Sequence, residues 1–148
     1  ELLEKKDYAQ YTPLHTAAFH GNPKAVEALL AQGAHHSALN HVGKTPAHLV
    51  KALNNFLAIK IIIRQLINAG ASVNAQDCYG NTPLHYFALQ GDEELYQHML
   101  GFTQWDTSIK NRDNYTAEYL FLTAQSPRIA QAYILLIKRL RKMELMQN

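Results

Sequence analysis

The chain has 148 residues, of which 47% are hydrophobic and 18% charged, so it suits one folded domain and excludes global disorder. Its formal net charge of +2 gives no reason to expect nucleic acid or an anionic membrane as partner. The single cysteine, Cys78, excludes an intrachain disulfide and fits a reducing, cytoplasmic compartment.

In chain order, the first element begins at Thr12-Pro13-Leu14-His15. A threonine hydroxyl accepts from an orphan N–H of a helix's first turn, and proline at the first helical position loses nothing by lacking its own N–H. A short inner helix follows, with Ala17 and Ala18 small enough for close packing and Gly21 to end it in left-handed backbone. The spacing of Val26, Leu29 and Leu30 predicts a second helix over Pro23 to Ala31, stopped by Gly33. A second unit opens at Thr45-Pro46-Ala47-His48, with Asn54-Asn55 where the first has its inter-helix glycine. The apolar run from Phe56 to about Asn68, ended by Gly70, predicts an outer helix about one turn longer than its counterparts. A third unit starts at Thr82-Pro83-Leu84-His85, with Ala88 and Gly91 in phase, but closes irregularly at Gly101-Phe102-Thr103-Gln104-Trp105. The fourth, Thr116-Ala117-Glu118-Tyr119, puts Asn114 in place of the turn glycine and Tyr119 in place of the histidine. Ser126-Pro127 then caps a long last helix, to about Leu145.

The four threonines stand 33, 37 and 34 residues apart. Three tetrapeptides in phase, with glycines and leucine pairs also in phase, are far more specific than one. On these residues, and on Ala69-Gly70-Ala71-Ser72-Val73-Asn74-Ala75-Gln76-Asp77 with Gly80, the chain resembles the ankyrin-repeat family from about Asp7 to its end. The expectation is a single all-α solenoid domain over 1–148, with four helix–turn–helix repeats at about 7–39, 40–76, 77–110 and 111–148 and an extended C-terminal helix. The chain begins without an apolar leader or a methionine, so a piece of a longer protein is expected. Its degenerate repeats, rich in Asn, Gln, Lys and Ile, are also similar to ankyrin domains of effectors that intracellular bacteria deliver into host cytoplasm. A eukaryotic regulatory protein is the alternative source.

No phosphate loop, carboxylate pair or Ser-His-Asp grouping appears, so catalysis by these residues is not expected. Among the eight histidines, His15, His48 and His85 belong to the repeated motif. By resemblance they are structural, bonded near the threonine cap and the adjacent turn. His35, His36 and His41 lack a cysteine or carboxylate to complete a tetrahedral set, so neither metal nor cofactor is expected. Cys78 reads as a plain turn residue. The basic run Lys138-Arg139-Leu140-Arg141-Lys142 reads as a solvated helix face that also suits the helix dipole. The apolar run Tyr133–Ile137 is too short to span a bilayer, which needs ~20 residues. One face of that helix is expected to pack on the third unit. A further domain, a fold-back contact or a second copy is expected to cover the rest.

The resemblance implies an interaction module that holds a protein or peptide along a concave groove. The alternative is the recruiting part of a larger enzyme or secreted effector. Carried over position by position, the groove is formed by Tyr8, Ala9, Tyr11, Phe19 and His20 of the first unit, and by His41, Val42, Lys44, Ala52 and Leu53 of the second. The third supplies Cys78, Tyr79, Asn81, Leu89 and Gln90, and the fourth Arg112, Asp113, Tyr115, Thr123 and Ala124. Tyr79 and Phe19 are the preferred anchors, since aromatic side chains dominate interface energetics. Two isolated cations, Lys44 and Arg112, do not make the dense basic track that nucleic acid demands. Asn74, with Leu66 eight residues before it, matches the arrangement that a host asparaginyl hydroxylase modifies in similar proteins. The alternative is a structural asparagine that braces its turn.

Overall fold

Each threonine of the repeated motif caps a helix. The computed structural model describes residues 2–51, 55–102 and 105–147. After a 3₁₀ turn at Leu2–Glu4 come α1 (Pro13–Phe19), α2 (Pro23–Ala31), α3 (Pro46–Leu49), α4 (Phe56–Asn68), α5 (Pro83–Leu89), α6 (Glu93–Leu100), α7 (Ala117–Gln125) and α8 (Pro127–Gln147). No strand occurs among the described residues. Thr12, Thr45, Thr82 and Thr116 stand at the N-caps of α1, α3, α5 and α7 in extended backbone. The inner helices form one row, α1 on α3, α3 on α5 and α5 on α7, and the outer helices α2, α4 and α6 form a second.

The core lies between the rows. Leu14, Ala18, Val26, Ile62, Ile63, Leu66 and Met99 are all but inaccessible and share one apolar cluster. A second cluster of Leu84, Ala88, Tyr96, Ala117 and Phe121 joins the last two units, with the Tyr96 and Phe121 rings stacked at 4.4 Å. Burial pushes the Tyr96 phenol up to about 12. The outer helix of the second unit carries the extra turn: α4 has 13 residues against 9 in α2 and 8 in α6. Asn55 caps it by accepting from the Ala58 N–H, while Asn54, expected beside it, lies outside the described residues. The inner helix α3 is short, with 4 residues against 7 in α1 and α5, and Val50 leaves it at φ −57° and ψ 121°, outside the helical region.

Among the described residues the third unit's outer helix ends without a left-handed residue: Gly101 closes α6 at φ −84°. Trp105 takes over, its Nε1 donating to the Met99 carbonyl at 2.6 Å and its ring meeting Phe87 edge-on. Thr103 and Gln104, expected in this irregular ending, lie outside the described residues. One expectation fails. The last helix packs on α7, and among the described residues its contact with the third unit's α6 is slight at most. Ser126 alone links α7 to α8 and holds α8 along α7, while α6 ends after 8 residues and offers little length beside it. Tyr133, Ile134 and Ile137 are half-buried, whereas Leu135, Leu136, Leu140 and Met143 remain exposed. Among the described residues no segment covers that face.

Candidate protein-binding surface

One side of the stack is built from four turns of the same construction. Asp7, Asn40, Asp77 and Asn111 each stand five residues before a capping threonine. The Oδ1 of each accepts two backbone N–H groups from its own turn, those of Ala9 and Tyr11, Val42 and Lys44, Tyr79 and Asn81, and Asp113 and Tyr115, at 2.9–3.0 Å. The fourth position of each turn is left-handed: Gln10 at φ 63°, Gly43 at 76°, Gly80 at 76° and Asn114 at 69°. At Gly80 a Cβ would stand 2.7 Å from the Arg112 backbone nitrogen, so packing on the next turn as well as φ demands glycine there. The tips are joined in turn, His41 N–H to the Ala9 carbonyl, Cys78 to Val42 and Arg112 to Tyr79. These aspartates and asparagines escaped sequence reasoning, although their fixed distance from the threonines was a readable signal.

The motif histidines tie each turn to the unit before it. His15 Nδ1 accepts from the Thr12 N–H at 3.1 Å and meets the Thr12 hydroxyl at 2.9 Å, while Nε2 donates to the Lys44 carbonyl at 2.8 Å. His48 does the same with Thr45 and Asn81, and His85 with Thr82 and Tyr115. An Nδ1 that accepts a backbone N–H has no room for a second proton, and burial pushes all three imidazoles below their usual value. These residues therefore act as neutral braces.

On this frame the expected groove residues divide into two kinds. Tyr79, Phe19 and Leu89 are exposed at 56%, 46% and 48%, and Tyr8, His20, Gln90 and Arg112 are also exposed. Others serve the frame. Tyr11 stacks on His15 at 5.8 Å and Tyr115 on Tyr119 at 4.2 Å. His41 Nδ1 donates to the Ala9 carbonyl at 2.8 Å. Val42 gives its carbonyl to the tip ladder. Asn81 accepts from Asn111 Nδ2 through its side chain and from His48 through its carbonyl. Lys44 lies 4.4 Å over the Tyr86 ring. Ala52 and Leu53, expected in the groove, lie outside the described residues. Asn74 is half-buried and its Oδ1 accepts from the Asp106 N–H at 2.9 Å, a brace toward the next unit.

Phe19, Leu89 and Gln90 line one depression of about 280 Å³ with Lys51, Val50 and Tyr86, beside the short α3. Tyr86 and Lys51 were not expected there. The Tyr86 hydroxyl donates to Asp77 Oδ2, and burial, then this bond, pushes its phenol above the usual range. Tyr11 and His20 border a separate depression at the N-terminal end.

Stacked helix hairpins braced by turn-to-turn bonds define a repeat protein, in which each unit contacts only its neighbours. A family model of ankyrin repeats, three copies long, matches residues 14–113, and the chain belongs to this family. Among curated proteins it is similar to Rabankyrin-5 of Homo sapiens, 30% identical over 126 residues that make up 80% of this chain and 11% of that one. Alpha-latrotoxin-Lt1a of Latrodectus tredecimguttatus is 34% identical over 66% of this chain and 7% of its own length. NF-kappa-B inhibitor zeta of Homo sapiens is 35% identical over 62% of this chain and 13% of its own. The matched stretch is thus a small part of each relative. Repeats of this family are, in general, protein-interaction modules.

Proposed function

We propose that the chain binds a partner protein or peptide through the strip of turn tips and inner-helix ends, with Tyr79 and Phe19 as anchors. The observation that carries this reading is the pairing of rigidity with exposure. The turns are fastened by their own Asx bonds and by the tip ladder, yet Tyr79, Phe19 and Leu89 stay about half exposed. A pre-ordered frame lowers the entropy lost on binding, and exposed aromatic side chains supply most of the interface energy. The test uses Tyr79→Ala and Phe19→Ala, measured for melting temperature and for capture of the wild-type partner from lysate. Capture should fall at least tenfold, in keeping with a loss of about 2 kcal/mol per anchor, while melting shifts little. Unchanged capture in both variants would remove this face as the site. Lost stability with capture intact would assign the aromatics to the frame.

A further inference from the structure

A second concave surface lies at the other end of the stack. α8 has 21 residues and α7 only 9, so the C-terminal half of α8 runs back past the start of α7 and alongside the turn before it. Between them is a cleft of about 510 Å³, lined by turn residues from Lys110 to Thr116 on one side and by α8 from Tyr133 to Glu144 on the other. That volume is in the ~300–1,000 Å³ range of ligand sites.

The wall of the cleft is aromatic. Tyr119 stands where the other three units have their bracing histidine. Its ring stacks on Tyr115 at 4.2 Å and meets Tyr133 at 6.3 Å, and the three tyrosines all line the cleft beside Ile137. The rim is mainly basic. Lys138 and Arg141 border the cleft from α8, and Lys110 from the turn, against the carboxylates of Asp113 and Glu144. Among the described residues, no hydrogen bond or ion pair engages the side chain of Lys138 or Arg141.

We infer that this cleft is a second docking site, which meets the concave strip only at Asp113 and Tyr115 of the fourth turn, and that it takes an acidic peptide segment bearing one aromatic side chain. The ring would seat against the Tyr115–Tyr119–Tyr133 wall, and flanking carboxylates would meet Lys138 and Arg141. Charge argues against a second copy: residues 138–142 hold four cations and no anion, so two α8 helices would repel. Shape argues against a bilayer, which is flat at this scale and would meet the ridge of α8 rather than tyrosines recessed between helix and turn.

The experiment titrates the whole chain into a fluorescein-labelled peptide of sequence EDEFDEE, with EDEADEE as control. Saturable binding at least tenfold tighter for the phenylalanine peptide is expected. Lys138→Glu with Arg141→Glu should weaken it at least tenfold. Arg139→Glu with Lys142→Glu makes the same charge change on exposed α8 positions that do not line the cleft, and should stay within about threefold, as screened long-range attraction allows. Backbone amide shifts on peptide addition should concentrate in residues 110–119 and 133–144, which locates the site without any variant. Tyr79→Ala and Phe19→Ala should leave this binding unchanged, so failure here is distinct from failure of the concave strip. Absence of saturable binding, equal loss in both charge reversals, or equal binding of the two peptides would overturn the proposal. So would a dimer in sedimentation, or capture by phosphatidylserine vesicles that Arg139→Glu with Lys142→Glu abolishes.

Discussion

At the scale of single residues, the three motif histidines govern how the fold responds to acid. Each is buried, accepts at Nδ1 and donates at Nε2, and burial holds each below the usual imidazole value. A histidine held neutral in the fold binds fewer protons than the unfolded chain once pH drops below the unfolded value. Stability therefore rises with pH through that window. The contribution is complete above about 6.5 and is lost progressively as pH falls from there through the lowered folded values. Urea midpoints measured from pH 7.5 to 5.0 should decline below about 6.5, while carboxylates stay ionised over most of that span. A flat profile would show that the fold takes up protons on these imidazoles as readily as the unfolded chain does, and so that Nδ1 is not held to the threonine N–H. The same scale explains Tyr119. A phenol cannot accept and donate across the ring as imidazole does, so the fourth unit keeps its threonine cap, with Tyr119 N–H donating to the Thr116 hydroxyl, and turns the ring to an aromatic stack instead.

Among the elements, α4 carries the most of the core. Its apolar run fills both faces that a helix between two neighbours must bury: Ile59, Ile62, Ile63 and Leu66 are inaccessible or nearly so, while Ile61 in the same run is 40% exposed. Removing a buried isoleucine loses the transfer energy of its methylenes and leaves a cavity. Ile63→Ala should therefore cost about 2–5 kcal/mol, whereas Ile61→Ala should cost less than about 1 kcal/mol. Denaturant unfolding of the two variants checks this, and equal losses would mean that the register of α4 differs from the one described. The extra turn of α4 was legible as an apolar run without an early stop signal. The shortness of α3 was not. Leu49, Val50 and Lys51 carry no glycine or proline to announce an end, and the Lys51 N–H reaches across to the Ala18 carbonyl of α1, a bond that depends on the neighbouring unit.

Over the whole molecule, stability is unevenly spread because each unit is covered only by its neighbours. The central outer helix has five buried residues, Ala58, Ile59, Ile62, Ile63 and Leu66. No described side chain of α8 is buried. Local opening of α8 therefore exposes little new apolar surface, and its amides beyond Ile137 should exchange about a hundredfold faster than those of α4 in native-state hydrogen exchange. Equal protection would show that α8 is held by more than α7. Peptide bound in the α8 cleft should slow exchange in that same stretch, which links the stability gradient to the proposed second site.

The sequence by itself determined the number of units, their phase and their caps. These rest on local chemistry: a threonine hydroxyl, a proline ring and a left-handed glycine act within a few residues of where they stand. The outer extra turn followed from an apolar run without an early stop, and the last helix from its Ser126-Pro127 cap, signals that are also local. Only the tertiary structure decided which aromatics are braces and which are exposed: Tyr11 and Tyr115, each directly before a capping threonine, stack on the fourth residue after them, His15 and Tyr119, whereas Tyr79 stands two places earlier in its turn and stays exposed. It also decided that α8 follows α7 rather than α6, and that the far half of α8 closes a tyrosine-lined cleft against a turn more than twenty residues earlier. Contacts between segments so far apart arise from how finished helices fit against one another, and no periodicity within a single helix encodes that fit.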